Sequence, residues 1–396
     1  MASETNLVRP GRGTRPANRR QLIVDAATEL FCDRGYGEIG MGDVAESVGM
    51  GPSALYRHFR GKQELLATVI DAQLTRYVDV AQAYAADPGR DLPGELAATV
   101  LDRRGVGVLW RRETRNLTEA DSSRFLDTGW HVAELTATAI RARRPELDAA
   151  GAGVLAFCVL AVANSASLHT ATLPEPAMST LLAELIATVI ATPLPVGDAG
   201  SPQEEQAGIS VHSRREAIVT ESVKLFATKG FGAASMEDIG SAVGIAGQSV
   251  YNHFPSKADI LAAAIGRGAE GLWIDLHRTF ARARDPRDGL TGLLAAYREF
   301  VFDNPQLMQI LVSDMAYLPE AELHRARTTQ HDYIAEWCRL LRTLRPEFDG
   351  TTARIRVQAA QVMLSDVAST PQLRRHPGID AILHEIGGRL LTLPDA

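Results

Sequence analysis

Residues 51–66 read GPSALYRHFRGKQELL, and residues 246–261 read AGQSVYNHFPSKADIL. The two stretches share the pattern Y-x-H-F-x-x-K and differ in the small and polar residues around it. The similarity extends outward, because residues 19–70 align with residues 214–265 without a gap and 19 of the 52 aligned positions are identical. Chance is a poor explanation for such a match, so the chain carries one structural element twice.

The repeat continues beyond this element, at an offset of 201 instead of 195, after six additional residues between 266 and 300. RPEL at 144–147 becomes RPEF at 345–348. A stripe of apolar residues over 178–190 recurs with the same helical spacing over 379–391. A period of about 200 residues is far longer than that of solenoid repeats and indicates a duplicated domain.

The composition is that of a soluble globular protein: 396 residues, 45% apolar, 22% charged, and a net charge of −7. A chain of this length is expected to hold more than one domain. The negative charge argues against a surface coated for nucleic-acid binding, but it allows a local basic face. Three scattered cysteines imply no disulfide framework, and the Arg-rich start lacks the apolar core of a signal peptide, so we expect a cytoplasmic protein.

One segment, residues 149–168, is uncharged and about the length of a membrane span. The equivalent residues of the second half, 350–369, include Arg354, Arg356 and Asp366. Charged residues are costly inside a bilayer, so the two equivalent segments predict buried helices and no membrane partner.

Helical periodicity dominates both halves, and strand alternation is scarce. In each copy of the duplicated element, a first helix stops at a glycine, Gly35 or Gly230. A short second helix (41–48 or 236–243) ends at another glycine, and a third helix follows. Two short helices joined by a glycine turn form a helix-turn-helix, whose second helix enters the major groove in DNA-binding proteins.

The third helix is the candidate recognition helix and is expected to end at Phe59 or Phe254. One of its faces is apolar, whereas the other carries small or polar side chains that fit a groove about 12 Å wide. We predict base contacts from Pro52, Ser53, Ala54, Arg57, Gln248, Ser249 and Asn252. We predict phosphate contacts from the shared residues Tyr56, His58, Lys62, Tyr251, His253 and Lys257. Each tyrosine and histidine alone fits an ordinary surface position equally well, but their repetition at fixed spacing favours phosphate contacts.

The helix starts differ between the copies. Ser213-x-x-Glu216 and Asn18-x-x-Gln21 resemble capping boxes of the first helix. Ser235 can cap the second helix of the second copy, whereas Gly40 at the equivalent position has no hydroxyl.

FCDRGYGEIGMGDVAESVGMGPSALYRHFRGKQELL resembles the N-terminal DNA-binding domain of TetR-family transcriptional regulators, and KLFATKGFGAASMEDIGSAVGIAGQSVYNHFPSKADIL resembles it equally well. The two-copy layout is similar to that of actinobacterial tandem TetR repressors. The resemblance implies an all-α fold with three DNA-binding helices and a larger helical body for ligand binding and dimerisation in each half. Ordinary members form homodimers through their last two long helices, so we expect the two repeats to pack together as an intramolecular pseudo-dimer.

The sequence also departs from the family pattern. Gly40 stands where the family usually has a serine or threonine that contacts phosphate, and Ser235 keeps that residue type in the second copy. Pro52 and Gly247 stand where lysine or arginine is frequent. We expect three arginines at the start of the chain to supply phosphate or groove contacts for the first copy: Arg12, Arg15 and Arg19.

An effector site is implied by the resemblance alone, because family members usually bind a small ligand that alters the spacing of their DNA-binding heads. WRRETRNL at 110–117 resembles a stretch of members associated with lipid and acyl-CoA metabolism. The candidate ligand residues are Trp110, Arg111, Arg115, Phe300, Met315 and Trp337. Surface ion pairs and ordinary core packing are the alternatives for these residues.

The sequence therefore predicts a DNA-binding transcriptional regulator, most simply a repressor that releases an asymmetric operator when it binds an apolar or acyl-CoA-like effector. No cofactor is implied, and further homodimerisation stays open. The alternatives are a ligand-binding helical protein with one degenerate DNA-binding copy, or a helical enzyme, for which no catalytic motif is present. The predicted divisions are a tail (1–18), DNA-binding domain 1 (19–66), body 1 (67–190), a linker (191–212), DNA-binding domain 2 (213–261) and body 2 (262–396).

Overall fold

The structure is a computed structural model that describes residues 19–87, 89–194 and 213–393. Every regular element in these residues is helical. The first repeat contains α1 (Arg19–Arg34), α2 (Met41–Ser47), α3 (Pro52–Leu55), α4 (Lys62–Ala86), α5 (Leu92–Asp102), α6 (Val106–Glu113), α7 (Glu119–Arg143), α8 (Ala149–Ser165) and α9 (Ala177–Ala191). The second contains α10 (Arg214–Lys229), α11 (Met236–Ala242), α12 (Gly247–Val250), α13 (Lys257–Arg282), α14 (Pro286–Asp303), α15 (Pro305–Ser313), α16 (Glu320–Leu344), α17 (Gly350–Ala368), α18 (Pro371–Arg374) and α19 (Ile379–Leu390).

The glycines that end the predicted helices adopt the left-handed backbone conformation that the prediction requires. Gly35 and Gly230 follow α1 and α10 with φ angles of 87° and 83°. Gly49 and Gly244 turn the chain between the two short helices with φ angles of 66° and 70°. Because side chains with a Cβ rarely adopt this conformation, these glycines stop each helix at the same place in both repeats.

The six additional residues of the second repeat lengthen a single helix. α5 has 11 residues, whereas its counterpart α14 has 18 and begins with Pro286 in its first turn. Among the helices that follow, α7 and α16 both have 25 residues. The insertion is therefore absorbed before the central helices of the body begin.

The two bodies pack against each other through their last long helices, which confirms the predicted pseudo-dimer. α8 lies against α17, and α9 lies against α19. Buried apolar residues of both bodies and of the second DNA-binding domain form one continuous core, whereas the first DNA-binding domain has a separate cluster. The segment Ala149–Leu168 is the one helix of the described residues long and apolar enough to cross a membrane, and it is mostly buried within this core.

Within residues 19–87, 89–194 and 213–393, two ion pairs cross the contact between the repeats. The guanidinium of Arg111 on α6 pairs with the carboxylate of Asp366 on α17. The buried Arg356 on α17 pairs with Glu184 on α9 at 2.5 Å and also donates to the carbonyl of Leu390 at 3.3 Å. Both pairs join residues of different repeats, so they belong to the pairing of the two halves.

Three sequence predictions about helix ends differ from the structure or fall outside it. The third helices end at Leu55 and Val250, and turns with mainly i to i+3 hydrogen bonds continue to Phe59 and Phe254. Ser213 precedes α10, but its side chain accepts no capping hydrogen bond, so the predicted capping box is wrong. The tail, Asn18 and most of the predicted linker lie outside the described residues.

Candidate nucleic-acid interface

Both recognition helices rest on the same buried scaffold. Leu55 and Val250 are fully buried, as are Phe59 and Phe254 one turn later. In each repeat a guanidinium from the first helix lies over this phenylalanine ring, 4.5 Å from its centroid: Arg20 over Phe59 and Arg215 over Phe254. The scaffold fixes the helix orientation in the same way in both copies and leaves the opposite face free to vary.

The opposite face is exposed in both copies and carries the predicted base-contacting residues. In the first repeat Pro52, Ser53 and Arg57 are exposed, with Ala54 half-buried beside them. In the second repeat Gln248 and Asn252 are exposed, and Ser249 is half-buried. An arginine can form a bidentate contact with guanine and an asparagine with adenine, so the two faces are suited to different bases.

The second helix-turn-helix is packed more closely than the first. A Cβ added at Gly247 would lie 2.2 Å from Oε2 and 2.8 Å from Cα of Glu237, so no side chain fits there. A Cβ at Gly240 would lie 2.8 Å from the backbone nitrogen of Gly247. The equivalent residues of the first copy are Ala45 and Pro52. Gly247 therefore has a packing role, which explains why lysine or arginine is absent from this position.

Tyrosine and histidine side chains flank each recognition face at the predicted phosphate positions. Tyr56 and Tyr251 are large residues that are 54% and 50% exposed, respectively. His58 is half-buried and His253 is exposed. A tyrosine hydroxyl held outward on a rigid helix is a suitable hydrogen-bond donor to a phosphate oxygen, so the prediction for these residues stands.

The two predicted phosphate lysines make different contacts. Lys257 donates to the carbonyls of Phe231, Gly232 and Ala234 at 2.8, 3.4 and 2.5 Å. Lys62 donates to the carbonyl of Gly37 at 3.3 Å. Burial lowers the pKa of Lys62, although nearby carboxylates oppose that shift. The three donors of Lys257 are used within the fold, whereas Lys62 keeps donors available for a phosphate.

The caps of the second helices differ as predicted. The hydroxyl of Ser235 accepts from the backbone nitrogen of Asp238 at 3.0 Å. Gly40 offers no side chain, and its own nitrogen donates to Asp43 Oδ2 at 2.7 Å. Arg19 is the first residue of α1, whereas Arg12 and Arg15 lie outside the described residues.

Each DNA-binding domain is attached to its body through different contacts. In the first repeat, the Gln63 amide donates to the carbonyl of Asn116 at 2.7 Å. In the second, the residue equivalent to Asn116 is Tyr317, whose ring stacks on Phe231 with 4.8 Å between centroids. These contacts lie after α6 and α15, which pack against each other across the two repeats. α6 and α15 thus form a direct connection between the parts of the bodies that carry the two DNA-binding domains.

The structure does not bring the candidate ligand residues together. Trp110 packs against the core of the first DNA-binding domain, with its ring 5.8 Å from that of Phe125. Arg111 is engaged by Asp366. Two candidates, Phe300 and Trp337, belong to the buried core shared by the bodies. Met315 packs against that core, and Arg115 lies in the short 3-10 turn 114–116.

Asp366 is a residue that sequence reasoning missed as a structural partner. Burial raises the pKa of its carboxyl, and the adjacent Arg111 guanidinium opposes that shift. The sequence contains one indication of this contact: the residues equivalent to Arg111 and Asp366 in the other repeat, Val312 and Ser165, are uncharged. These two charged residues, each present in only one copy, contact each other across the unlike halves.

The chain is similar to several known proteins. Residues 23–69 and 218–264 each match the family model described as bacterial regulatory proteins of the tetR family. The transcriptional repressor KstR2 of Mycolicibacterium smegmatis is 27% identical over 126 residues, which cover 30% of this chain and 61% of that protein. The transcriptional activator FasR of the same organism is 40% identical over 77 residues, which cover 18% of this chain and 33% of that protein. A TetR-family regulator from Bordetella parapertussis, 18% identical, superposes with a TM-score of 0.42 over 47% of this chain and 100% of its own.

The fold contains two helix-turn-helix elements, each followed by a helical body. The two family matches, separated by the same 195 residues as the sequence repeat, show a DNA-binding domain of the tetR-family type in each half of the chain.

Proposed function

We propose that this protein is a repressor that binds one asymmetric operator with both of its heads and leaves it when a small effector binds. The observation that supports this is the pair of exposed recognition faces on matched scaffolds, with Arg57 in one and Asn252 in the other. A homodimer presents the same residues to both half-sites. Two unlike faces in one chain select two unlike half-sites.

The pairing of the repeats within one chain supports the same proposal. The shared core of α8, α9, α17 and α19 joins the two heads within one chain, without a second chain. We propose that the segment 191–212 links the halves and that the protein acts in the cytoplasm. Further homodimerisation of two such chains would be an additional step that the pairing of the repeats does not require.

Repression and effector release are proposed on the basis of the family's two-state behaviour. An effector that favours the wrong head spacing weakens operator binding by its difference in affinity for the two states. We propose an effector that is apolar or acyl-CoA-like. The curated relatives include one protein named as a repressor and one named as an activator, so the direction of regulation requires a transcription assay.

The direct test is selection of bound DNA from a random duplex library with the intact chain, followed by footprinting. We expect an enriched site with two different half-sites about one helical turn apart on one face of the duplex. A perfect palindrome would contradict the intramolecular pairing of unlike heads. The absence of any salt-dependent specific affinity would contradict DNA binding and favour a ligand-binding protein.

A further inference from the structure

The two DNA-binding domains carry nearly the same charge. Residues 19–66 contain six lysines and arginines against seven aspartates and glutamates, and residues 213–261 contain five of each. The formal charges of these two stretches are therefore −1 and 0. A difference between the domains in their attraction to phosphate must come from which cationic side chains are already engaged within the fold.

In the second domain all five cationic side chains have a partner within the fold. Two form ion pairs of 2.8 Å with carboxylates, one lies over a phenylalanine ring 4.5 Å from its centroid, and two donate to backbone carbonyls. In that order they are Lys224 and Lys229, Arg215, and Arg214 with Lys257. Such a side chain gives up existing contacts when it binds a phosphate, so its net contribution to DNA binding is small.

Three arginines of the first domain are exposed, and their side chains form no hydrogen bond or ion pair with any described residue: Arg34, Arg57 and Arg60. Only the backbone nitrogen of Arg60 is engaged, because it donates to Glu64 Oε2 at 2.7 Å. That contact fixes the backbone of Arg60 at the start of α4 and leaves its guanidinium unused. A guanidinium without a counter-ion in the fold can neutralise a phosphate without losing an existing contact.

Arg60 lies in the turn that joins the recognition helix to α4. Tyr56 and Arg57, four and three residues earlier, are exposed in the same stretch, and Lys62 follows two residues later. Because an arginine side chain is long and carries its donors at the end, it can reach the phosphates that border the groove in which the recognition helix lies. The equivalent residue of the second domain is Pro255, which has neither a charge nor a hydrogen-bond donor.

We propose that Arg60 is an additional phosphate contact and that the first DNA-binding domain supplies most of the ionic affinity for DNA, whereas the second recognises its half-site mainly through uncharged contacts. The proposal rests on the proposed function, because it assumes that both domains lie on one duplex. The second domain keeps exposed uncharged donors for this task, among them Gln248, Tyr251 and Asn252. Uncharged contacts release no counter-ions, so they add specificity that depends little on salt.

The test measures binding of the intact chain to a mixed-sequence duplex long enough for both domains, over a range of salt concentrations at about pH 8, where histidines are uncharged. Non-specific binding is sufficient, because the electrostatic part does not depend on sequence. Arg60→Gln should lower the slope of log K against log salt by about one unit, the value for one phosphate contact. Arg282→Gln, at an exposed arginine on the end of α13 away from the DNA-binding domain, is the matched control and should leave the slope unchanged. An unchanged slope for folded Arg60→Gln would overturn the proposal.

A gain of charge at the equivalent position avoids any confusion with a loss of folding. Pro255→Arg introduces at an exposed position of the second domain the guanidinium that the first domain carries there, and it should raise the slope by about one unit. A slope that stays the same would mean that this position does not face phosphates, which contradicts the role of Arg60.

The unequal division between the domains has its own variant. Arg214→Gln combined with Lys257→Met removes the two cations of the second domain that are held by carbonyls, and it should lower the slope by less than about half a unit. A larger decrease than that of Arg60→Gln would overturn the division, and thermal unfolding of each variant checks folding. If the slopes change as expected but no operator is selected, only the proposed function fails; if an operator is selected and the slopes do not change, only this proposal fails.

Discussion

The two repeats have diverged in different places in their two kinds of domain. In the DNA-binding domains the buried scaffold has stayed the same, with Phe59 and Phe254 equally buried, and the exposed recognition faces have changed. In the bodies the buried interior has changed, from Val132 and Thr136 to Tyr333 and Trp337. The DNA-binding domains of the two repeats therefore differ mainly at an exposed surface, whereas the bodies differ in their buried interior.

The contact between the repeats shows a third kind of divergence. Arg111 of the first repeat pairs with Asp366 of the second. The equivalent pair on the other side of the pseudo-twofold axis would be Val312 and Ser165, which carry no charge. If two second repeats paired in this geometry, Asp366 would face Val312 and stay buried without a cation. The ion pair thus favours the pairing of unlike repeats.

The largest effect is expected from breaking this pair. Arg111→Val leaves the Asp366 carboxylate, whose side chain is 14% exposed, without its partner. We expect a loss of about 3 kcal/mol in the free energy of unfolding at neutral pH, measured by urea denaturation. Burial already raises the pKa of Asp366 above 3.8, and removal of Arg111 raises it further. The folded variant then gains a proton as the pH falls through that raised pKa, so the loss should shrink toward acid pH.

The control for this prediction is supplied by the other repeat. The double variant Arg111→Val with Asp366→Ser copies the uncharged pair found at the equivalent positions, Val312 and Ser165. It should recover most of the lost stability and show no pH dependence of the loss. A double variant as unstable as the single one would mean that Arg111 acts through packing and not through its charge.

The next effect concerns the recognition faces. Arg57→Ala should reduce discrimination at one half-site by about 2 kcal/mol and leave the other half-site unaffected, and Asn252→Ala should do the reverse. Competition binding with operators mutated in one half-site at a time measures this. If either substitution changed both half-sites equally, the two heads would not be dedicated to different sequences, and the asymmetric operator would be wrong.

Local sequence signals predicted most of the helices and the recognition faces. The glycines at 35, 49, 230 and 244 fix the helix ends through backbone conformation, which acts within a few residues. The pseudo-dimer was expected from the resemblance to TetR-family members, which pair through their last two long helices, and the packing of α8 on α17 and of α9 on α19 confirms it. The predicted Ser213 capping box is wrong because a capping motif shows only that a hydrogen bond can form. The Ser213 side chain does not form it in the structure.

Contacts between residues far apart in the chain could not be predicted from one sequence. Asp366 lies 255 positions after Arg111, and no periodicity links them. The buried Nε2 of Gln361 has no hydrogen-bond partner, and this likewise depends on which residues surround it in the folded chain. Gly247 resembled a lost basic contact, but its role is steric, because Glu237 occupies the space of a side chain. Such residues become predictable only when the packing of neighbouring helices is known.

The smallest effect separates the two equivalent lysines. Lys257→Met removes the hydrogen bonds to three carbonyls and the ammonium that lies over the Phe231 ring, so we expect a local loss of about 1.5 kcal/mol. Lys62→Met removes one hydrogen bond of 3.3 Å and a cation–π contact with the Tyr36 ring, and should cost less, about 0.5 kcal/mol. Hydrogen exchange of the turns at 230–236 and 35–41 measures both. In DNA binding we expect the opposite order of effects. Lys62→Met should lower the salt dependence of DNA binding by about one unit, because Lys62 has donors left for a phosphate, and Lys257→Met should leave it unchanged. A reduced salt dependence for Lys257→Met, and none for Lys62→Met, would show that the carbonyl contacts of Lys257 give way to phosphate when DNA binds.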